Sequence, residues 1–250
     1  NCVGDKVRQA SKRLKPGQLL LLENLRFHAG EEANDREFAA TLARDTGAEY
    51  FVQDGFGVVH RAHASTEGIT HFLPSSGGLL LQQEYDHIMG AMTKPKRPLV
   101  AIIGGAKIKD KIGIIKKFIT VADTIVIGGA MANTFLRYKG YNVGKSLCET
   151  NCDDVLDQIY STAYRKTRYL ENFIRLPRDV AVATKIDERA RRMCVDIKDV
   201  AKDEYILDIG PETIREIEQL ITGARTVIWN GTLGYAELSQ FSYGSARTAL

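Results

Sequence analysis

Two lysines follow a strand-like apolar run and a glycine pair in the segment Leu99-Val-Ala-Ile-Ile-Gly-Gly-Ala-Lys107-Ile-Lys-Asp-Lys111. Glycine lets the backbone approach an anion closely, and a helix N-terminus presents free N–H groups to that anion. We expect Lys107 and Lys111 to lie one turn apart, just inside a helix, as two cations on one side. The pattern predicts a phosphate site, with a solvated lysine face as the alternative. No Walker A motif occurs in the chain.

A second candidate site residue, Arg26, follows a predicted strand in the segment 23–28. Ligands of open α/β sheets bind beyond the carboxyl ends of the strands. The planar fork of arginine matches carboxylate or phosphate groups there. A surface ion pair with Glu31 or Glu32 is an equally open interpretation.

A third candidate segment, residues 53–65, combines glycines with two histidines and Arg61. The spacing of His60 and His63 is compatible with metal binding, but no convincing third ligand lies nearby. The segment therefore favours a basic pocket for an anion. Arg26 and Arg61 follow separate strands, so both could line one cleft.

Three later strands also end in glycine turns. Gly128 and Gly129 could form the wall for a flat ligand such as a purine, or allow close packing of strand and helix. Gly210 precedes a helix that starts with proline, and this turn could bind phosphate or ribose or be only a turn. Asn230 and Glu237 follow the strand that holds the sole tryptophan. Glu237 could bind ribose hydroxyls or act as a favourable charge at a helix N-terminus.

The elements that must position these residues alternate along the chain. Asn34-Asp-Arg-Glu37 resembles a capping box and predicts a helix start. Apolar runs predict strands at 19–22, 49–52, 99–103, 124–128, 206–207 and 226–229. Amphipathic patterns predict helices at 3–14, 79–92 and 211–223. This alternation predicts an α/β fold with a mostly parallel sheet covered on both faces.

Composition narrows the possible classes of function. A net charge of +3 among 250 residues, without a block of like charges, argues against a nucleic-acid partner. The four cysteines form no C-x-x-C pair, which favours a reducing, cytoplasmic location. No apolar stretch approaches the ~20 residues of a membrane span, so we expect no membrane partner.

The order of these motifs resembles one known family. The chain contains, in register, Glu-Asn-Leu-Arg-Phe-His, His-Arg-Ala-His-Ala-Ser, Gly-Gly-Ala-Lys with Asp-Lys, Gly-Gly-Ala-Met-Ala, Asp-Ile-Gly-Pro and Trp-Asn-Gly. Together they resemble phosphoglycerate kinase over essentially the whole chain. Gly55, Ala130, Thr232 and Tyr235-Ala236 depart from the usual family pattern.

The resemblance implies two Rossmann-like three-layer α/β/α lobes with parallel sheets, joined by a helix. Residues 1–76 would form part of a lobe for 3-phosphoglycerate, 77–97 a connecting helix and hinge, and 98–250 most of a nucleotide lobe. The family's opening and closing motifs are absent from the sequence. We therefore expect an internal fragment with both lobes incomplete.

The resemblance also implies roles for individual residues. Substrate binding is implied for Arg26, Arg61 and His63. Catalytic roles are implied for Lys107, facing the migrating phosphoryl group, and Lys111, facing the nucleotide. Nucleotide binding is implied for Gly105, Ala106, Lys107, Lys111, Gly128, Gly129, Gly210, Asn230 and Glu237. Magnesium is implied as a cofactor, but its aspartate ligand belongs to the absent closing motif, so we assign no metal ligand here.

The implied reaction is reversible phosphoryl transfer between 1,3-bisphosphoglycerate and ADP, giving 3-phosphoglycerate and ATP in glycolysis. A carboxylate acceptor is already ionised, so alignment and charge neutralisation suffice without a general base. We expect a monomer, and no turnover by these 250 residues alone. A nucleotide-binding module without catalysis and a dinucleotide oxidoreductase are the alternatives, although the latter's G-x-G-x-x-G motif is absent.

Overall fold

The computed structural model describes residues 1–250, which fall into two units, residues 1–90 and 91–250. The first unit contains α1 (Asp5–Lys12), α2 (Ala29–Glu32), α3 (Arg36–Thr46), β1 (Phe51–Gln53), β2 (Ser75–Gly77) and most of α4 (Leu79–Thr93). Strands β1 and β2 pair in parallel and form the whole sheet of this unit. A small apolar cluster centred on Leu42, Ala43 and Ile69 packs beside α3. The assignment of 77–97 as a hinge stays a prediction.

Side chains cap two helices of the first unit. The Asp35 carboxylate accepts the Phe38 N–H at 2.7 Å and starts α3. The Asp54 carboxylate, just after β1, accepts the Leu81 N–H in the first turn of α4 at 2.9 Å. The predicted helix starts are therefore present, but α3 begins after Asp35 alone rather than with a reciprocal capping box.

The predicted buried strand at 19–22 is wrong. Leu19 and Leu21 are each 97% exposed, and the segment pairs with no strand. Only Leu22 packs against the apolar cluster of this unit. Four leucines supply apolar surface, but a strand also needs a neighbouring backbone to accept and donate hydrogen bonds.

The second unit holds the larger sheet. Its elements are β3 (Leu99–Ile103), α5 (Ile112–Val121), β4 (Thr124–Ile127), α6 (Gly129–Tyr138), α7 (Asp153–Lys166), α8 (Leu170–Phe173), β5 (Ile174–Arg175), β6 (Asp179–Ala183), β7 (Met193–Asp196), β8 (Tyr205–Ile209), α9 (Pro211–Gly223), β9 (Thr226–Asn230) and α10 (Tyr243–Ala249). Strands β5, β4, β3 and β9 lie side by side in that order, and all pairs are parallel.

Strand β3 shows how helices cover this sheet on both faces. Leu99, Ala101 and Ile103 belong to an apolar cluster with α5, α6 and α7, whereas Val100 and Ile102 belong to another with α9. Alternate residues of a strand point to opposite faces, so a strand buried on both faces reads as a continuous apolar run. The predicted α/β class with helices on both faces is confirmed for this sheet.

The prediction of one mostly parallel sheet misplaces the strand around residues 206–207. That strand exists as β8, but it pairs antiparallel with β6 in a separate sheet of order β7-β6-β8. Apolar content identifies a strand but not its direction, because direction depends on the connection that precedes it. None of the helices has the length and apolar character needed to cross a bilayer.

Candidate functional site

A cavity of about 560 Å³ lies within residues 91–250, at the carboxyl ends of several strands. Its lining is mostly apolar, with a few polar side chains among them. The lining includes Gly105, Ala106, Gly129, Asn133, Lys145, Leu147, Ile206, Leu207, Asp208, Thr232, Leu233, Tyr235 and Glu237. Such a cavity has the size and the character of a small-molecule site.

Backbone groups of the loops after β3 and β9 hold each other at the edge of this cavity. The Gly104 N–H donates to the Asn230 carbonyl at 2.8 Å, and the Gly105 N–H donates to the Thr232 carbonyl at 3.0 Å. A Cβ atom at Gly104 would lie 2.0 Å from the Thr232 carbonyl oxygen. The glycine pair is therefore required for the close approach of two loops.

The two glycines of the second pair have different roles, one in packing and the other in the cavity wall. A Cβ atom at Gly128 would meet the Leu233 side chain at 2.3 Å, so this glycine allows close packing. Gly129 lines the cavity, has a φ of +62° and adjoins the Gly105 backbone. The Met131 N–H also donates to the Gly105 carbonyl at 2.7 Å. The loop after β3 and the start of α6 are thus joined directly.

The two predicted lysines lie in different environments. Helix α5 begins at Ile112, so Lys111 is its N-cap residue and Lys107 lies in the preceding loop. The Lys111 ammonium donates to the Gly104 carbonyl at 2.7 Å, and burial lowers its pKa. Lys107 is exposed and makes no hydrogen bond or ion pair. The prediction that both lysines lie inside the helix is wrong.

Glu149 holds the loop that precedes α5. Its carboxylate accepts the Ile108 N–H at 2.6 Å and the Lys109 N–H at 3.4 Å. These bonds hold the backbone after Lys107 in a turn. Glu149 itself is fixed through its own N–H, which donates to the Thr134 hydroxyl at 3.0 Å.

The turn at Gly210 is occupied by protein atoms. The Asp179 carboxylate accepts the N–H groups of Glu212 and Thr213 at 2.9 Å and 2.8 Å, at the N-terminus of α9. A Cβ atom at Gly210 would meet that carboxylate at 2.3 Å. Gly210 therefore allows the close approach of the Asp179 carboxylate and does not line the cavity. Asn230, with its exposed side chain at the end of β9, also lies outside the lining.

Asp208 is a buried carboxylic acid in the cavity wall. Its oxygens accept the Ile209 N–H at 2.9 Å and the Gly244 N–H at 2.8 Å. Burial raises the pKa of Asp208 to about 6, and the two N–H groups and the Arg192 charge only partly offset that effect. The cavity thus contains a carboxyl group that titrates near neutral pH.

The predicted basic residues of the first unit occupy another region. The Arg26 guanidinium pairs with Glu32 at 3.2 Å, as the surface alternative predicted. Arg61 is exposed and forms no ion pair. His63 Nδ1 lies 3.8 Å from a carboxylate oxygen of Glu31, which is only 3% exposed.

Glu31 organises the loop that contains His63. Its carboxylate accepts the Ser65 N–H at 3.0 Å and also the Ser65 hydroxyl, while its backbone carbonyl accepts the Ala64 N–H at 2.9 Å. Two hydrogen bonds to the buried carboxylate and one to the backbone carbonyl of Glu31 thus fix the loop without a charged partner in direct contact. This acid is a functional candidate that sequence reasoning named only as a surface partner.

A sequence model described as phosphoglycerate kinase matches residues 1–249 of the chain. The chain belongs to the phosphoglycerate kinase family. The phosphoglycerate kinase of Moorella thermoacetica is 46% identical over 249 residues, which are 100% of this chain and 62% of that relative. The phosphoglycerate kinase of Chloroflexus aurantiacus is 46% identical over 246 residues, 98% of this chain and 60% of the relative.

Solved phosphoglycerate kinase structures share the fold. The Coxiella burnetii structure has 37% identity and a TM-score of 0.76, covering 94% of this chain and 60% of that one. The Pyrococcus horikoshii structure has 27% identity and a TM-score of 0.82, covering 100% and 63%. The chain thus spans about three fifths of the length of the phosphoglycerate kinases that it matches.

The sequence analysis did not identify three residues of this chain that lie at or beside the candidate site. Asn133 and Lys145 line the cavity, and Glu149 holds the loop that contains Lys107. A signal existed for Asn133, because a polar residue interrupts an otherwise apolar face of α6. No comparable signal exists for Glu149, because the loop residues that its carboxylate binds, Ile108 and Lys109, lie 41 and 40 positions away.

Proposed function

We propose that the protein acts in reversible phosphoryl transfer between 1,3-bisphosphoglycerate and ADP, giving 3-phosphoglycerate and ATP. The observation that carries this proposal is the cavity at the strand ends, bordered by the glycine loops, in a chain of this family. We assign the nucleotide to this cavity. Gly105, Ala106 and Gly129 form its walls, and we assign the ribose hydroxyls to Glu237, which also lines the cavity.

The two lysines have different tasks in this proposal. Lys107 is an exposed, unpaired ammonium that can follow the transferred phosphoryl group without breaking an ion pair. Lys111 is tied to the Gly104 carbonyl, so its charge stays at the glycine loop beside the nucleotide phosphates. Positioned cations stabilise the charge that spreads over the phosphoryl oxygens in the transition state. The acceptor carboxylate needs no general base.

The first unit supplies the binding groups for the other substrate. We assign the carboxylate and phosphate of 3-phosphoglycerate to Arg61, His63 and Arg26. Arg61 has no competing carboxylate, whereas Arg26 must exchange Glu32 for the substrate. The division into 1–76, 77–97 and 98–250, with the middle segment as hinge, is part of this proposal.

Magnesium enters the proposal as part of the substrate, bound to nucleotide phosphates. No group of three or more His, Cys, Asp and Glu side chains in the structure is placed to hold a metal ion. No step is assigned to a metal ion held by the protein. A cytoplasmic monomer without nucleic-acid or membrane partners completes the proposal.

A chimaera tests the activity. Residues 1–249 replace the matching segment of the Moorella thermoacetica relative, and ATP consumption with 3-phosphoglycerate is measured in a coupled assay. We expect turnover by the chimaera, none by the 250 residues alone, and a kcat at least ~100-fold lower in Lys107→Met. Lys117→Met, at an exposed lysine of α5, is the matched control.

Two results would contradict the proposal. Turnover that is unaffected by Lys107→Met would remove the assigned role of that lysine. ADP binding by a chimaera without turnover would instead favour a nucleotide-binding module that does not catalyse transfer.

A further inference from the structure

Lys107 is exposed and makes no hydrogen bond or ion pair, so the backbone on either side of it determines where its ammonium can reach. On one side, the Gly105 carbonyl accepts the N–H of Met131, in the first turn of α6, at 2.7 Å. On the other side, the Ile108 side chain is fully buried and the Ile108 N–H donates to the Glu149 carboxylate at 2.6 Å. The backbone is thus held before and after Lys107, while the lysine side chain stays free.

Glu149 is itself attached to α6 rather than to the loop that it holds. Its N–H donates at 3.0 Å to the hydroxyl of Thr134, a residue that is only 1% exposed. Its backbone carbonyl accepts a hydrogen bond from the Arg137 guanidinium at 2.6 Å. Thr134 and Arg137 are three positions apart on α6, so they lie on one face of that helix. The Glu149 carboxylate therefore extends from a backbone whose N–H and carbonyl are both fixed.

The backbone between Ala106 and Asp110 has no other attachment of this kind. The hydrogen bonds from Ile108 and Lys109 to Glu149 are the only backbone hydrogen bonds that join these five residues to a distant part of the chain. Loss of the Glu149 carboxylate would therefore release the backbone directly after Lys107. It would leave the preceding glycine pair attached to the loop after β9.

We propose that Glu149 is a positioning residue for phosphoryl transfer, whose carboxylate holds the backbone after Lys107 so that the Lys107 ammonium reaches the transferred group. This role rests on the proposed function, in which Lys107 faces that group. A positioned cation stabilises transition-state charge only where it lies close to that charge, and a misplacement of about 1 Å can cost ~100-fold in rate. Lys111 is tied separately to the Gly104 carbonyl at 2.7 Å, so its contact with the nucleotide should not depend on Glu149.

Three replacements of Glu149 in the chimaera test this role through initial rates with ATP and 3-phosphoglycerate. Glu149→Ala removes the acceptor and should lower kcat at least ~10-fold, while the KM for ATP changes by less than about twofold. Glu149→Gln keeps an acceptor oxygen at the same reach and should retain kcat within about threefold. Glu149→Asp keeps the charge but is one methylene shorter, so its kcat should fall as it does in Glu149→Ala. Asp154→Ala, at an exposed acid of α7 that makes no hydrogen bond, is the matched control and should keep the original kcat.

Combination with Lys107→Met shows whether Glu149 acts through that lysine. If it does, Glu149→Ala should lower kcat by less than about twofold once Lys107 is replaced, because the charge that Glu149 positions is already gone. Full additivity of the two effects would mean that Glu149 acts elsewhere and would overturn the proposed role. A normal kcat in Glu149→Ala, or an equal loss in Glu149→Gln, would overturn it as well.

These outcomes are distinct from those that test the proposed function. A chimaera without turnover would overturn the proposed function and the role of Glu149 together, whereas the results above concern Glu149 alone. Amide hydrogen exchange of the 250-residue chain needs no turnover. The Ile108 amide should exchange at least ~10-fold faster in Glu149→Ala, and the Ile102 amide in β3 should not change. Unchanged exchange at Ile108 would overturn the proposed role, and Glu149→Asp provides the same two measurements where Glu149→Ala fails to fold.

Discussion

The candidate sites of the two units are built in different ways. In the second unit, backbone meets backbone: the Gly104–Thr232 approach would place a Cβ atom 2.0 Å from a carbonyl oxygen. In the first unit, the loop around Arg61 and His63 consists largely of exposed side chains, held through Glu31. The close backbone contact in the second unit tolerates no added atom. The loop of the first unit, by contrast, leaves its cations free to adapt to a ligand.

Two buried aspartates, one in each unit, also differ in their hydrogen-bond partners and in the direction of their pKa change. Asp45, in α3, accepts hydrogen bonds from the Gly4 N–H and the Arg8 guanidinium, both at 2.6 Å, and from Arg44 at 3.2 Å. Burial acts to raise the pKa of Asp45, but these bonds outweigh it and leave the pKa below its ordinary value. Asp208 has no cation in contact, and burial raises its pKa to about 6. Asp45 in the first unit is paired with arginines, whereas Asp208 in the second unit lies beside the cavity without a contacting cation.

The largest expected difference between the two sites comes from replacing one glycine of each site with alanine. Gly104→Ala should lower the free energy of unfolding by at least ~3 kcal/mol, because the new Cβ overlaps backbone that cannot rotate away. Gly57→Ala, in the loop of the first unit, meets no atom within 4 Å and should change it by less than ~0.5 kcal/mol. Urea unfolding of both variants, followed by circular dichroism, measures the difference.

Equal effects of the two alanines would remove the contrast between the sites. A small effect of Gly104→Ala would mean that the loops after β3 and β9 can separate. ADP titration of that variant would then show whether the cavity survives the separation.

The next largest effect is the pH dependence of the free energy of unfolding, which has opposite signs in the two units. Asp208 binds its proton more tightly in the folded state than in the unfolded state, so its contribution is present below pH ~4 and is lost as pH rises through about 6. The loss amounts to ~3 kcal/mol, because folding raises the pKa of Asp208 from its ordinary value near 4 to about 6. Asp208→Asn should remove this loss between pH 4 and pH 7. Urea unfolding followed by Trp229 fluorescence reports on the second unit.

Asp45 supplies the internal control. Its pKa is lowered on folding, so its contribution is present above the unfolded pKa and is lost as pH falls. Asp45→Asn should therefore destabilise α1 and α3 at pH 7 and much less at pH 3, as measured by amide hydrogen exchange. A pH profile that Asp208→Asn leaves unchanged would contradict a raised pKa of Asp208.

The sequence allowed three of the four strands of the larger sheet, β3, β4 and β9, and the glycine loops to be predicted, because these follow from local signals. The apolar run at 99–103 and the proline start of α9 are read within a few residues of themselves. What could not be predicted depends on distant partners. The loop before α5 is held by Glu149, about 40 positions away, and the 19–22 run lacks a strand to pair with. The antiparallel direction of β8 likewise depends on its pairing with β6.

The smallest expected effect concerns the free and the paired arginine of the first unit. Arg61→Ala in the chimaera should raise the KM for 3-phosphoglycerate about tenfold, the scale of one lost charged hydrogen bond, and leave the KM for ATP nearly unchanged. Arg26→Ala should raise it less, because Arg26 already pairs with Glu32 at 3.2 Å and gains less from exchanging one carboxylate for another. Initial-rate kinetics with each substrate varied in turn distinguishes the two.

Glu32→Gln should lower the KM for 3-phosphoglycerate by releasing Arg26, and this reciprocal change separates competition from simple loss of charge. Equal KM increases for both substrates in Arg61→Ala would mean that this open loop does not bind 3-phosphoglycerate.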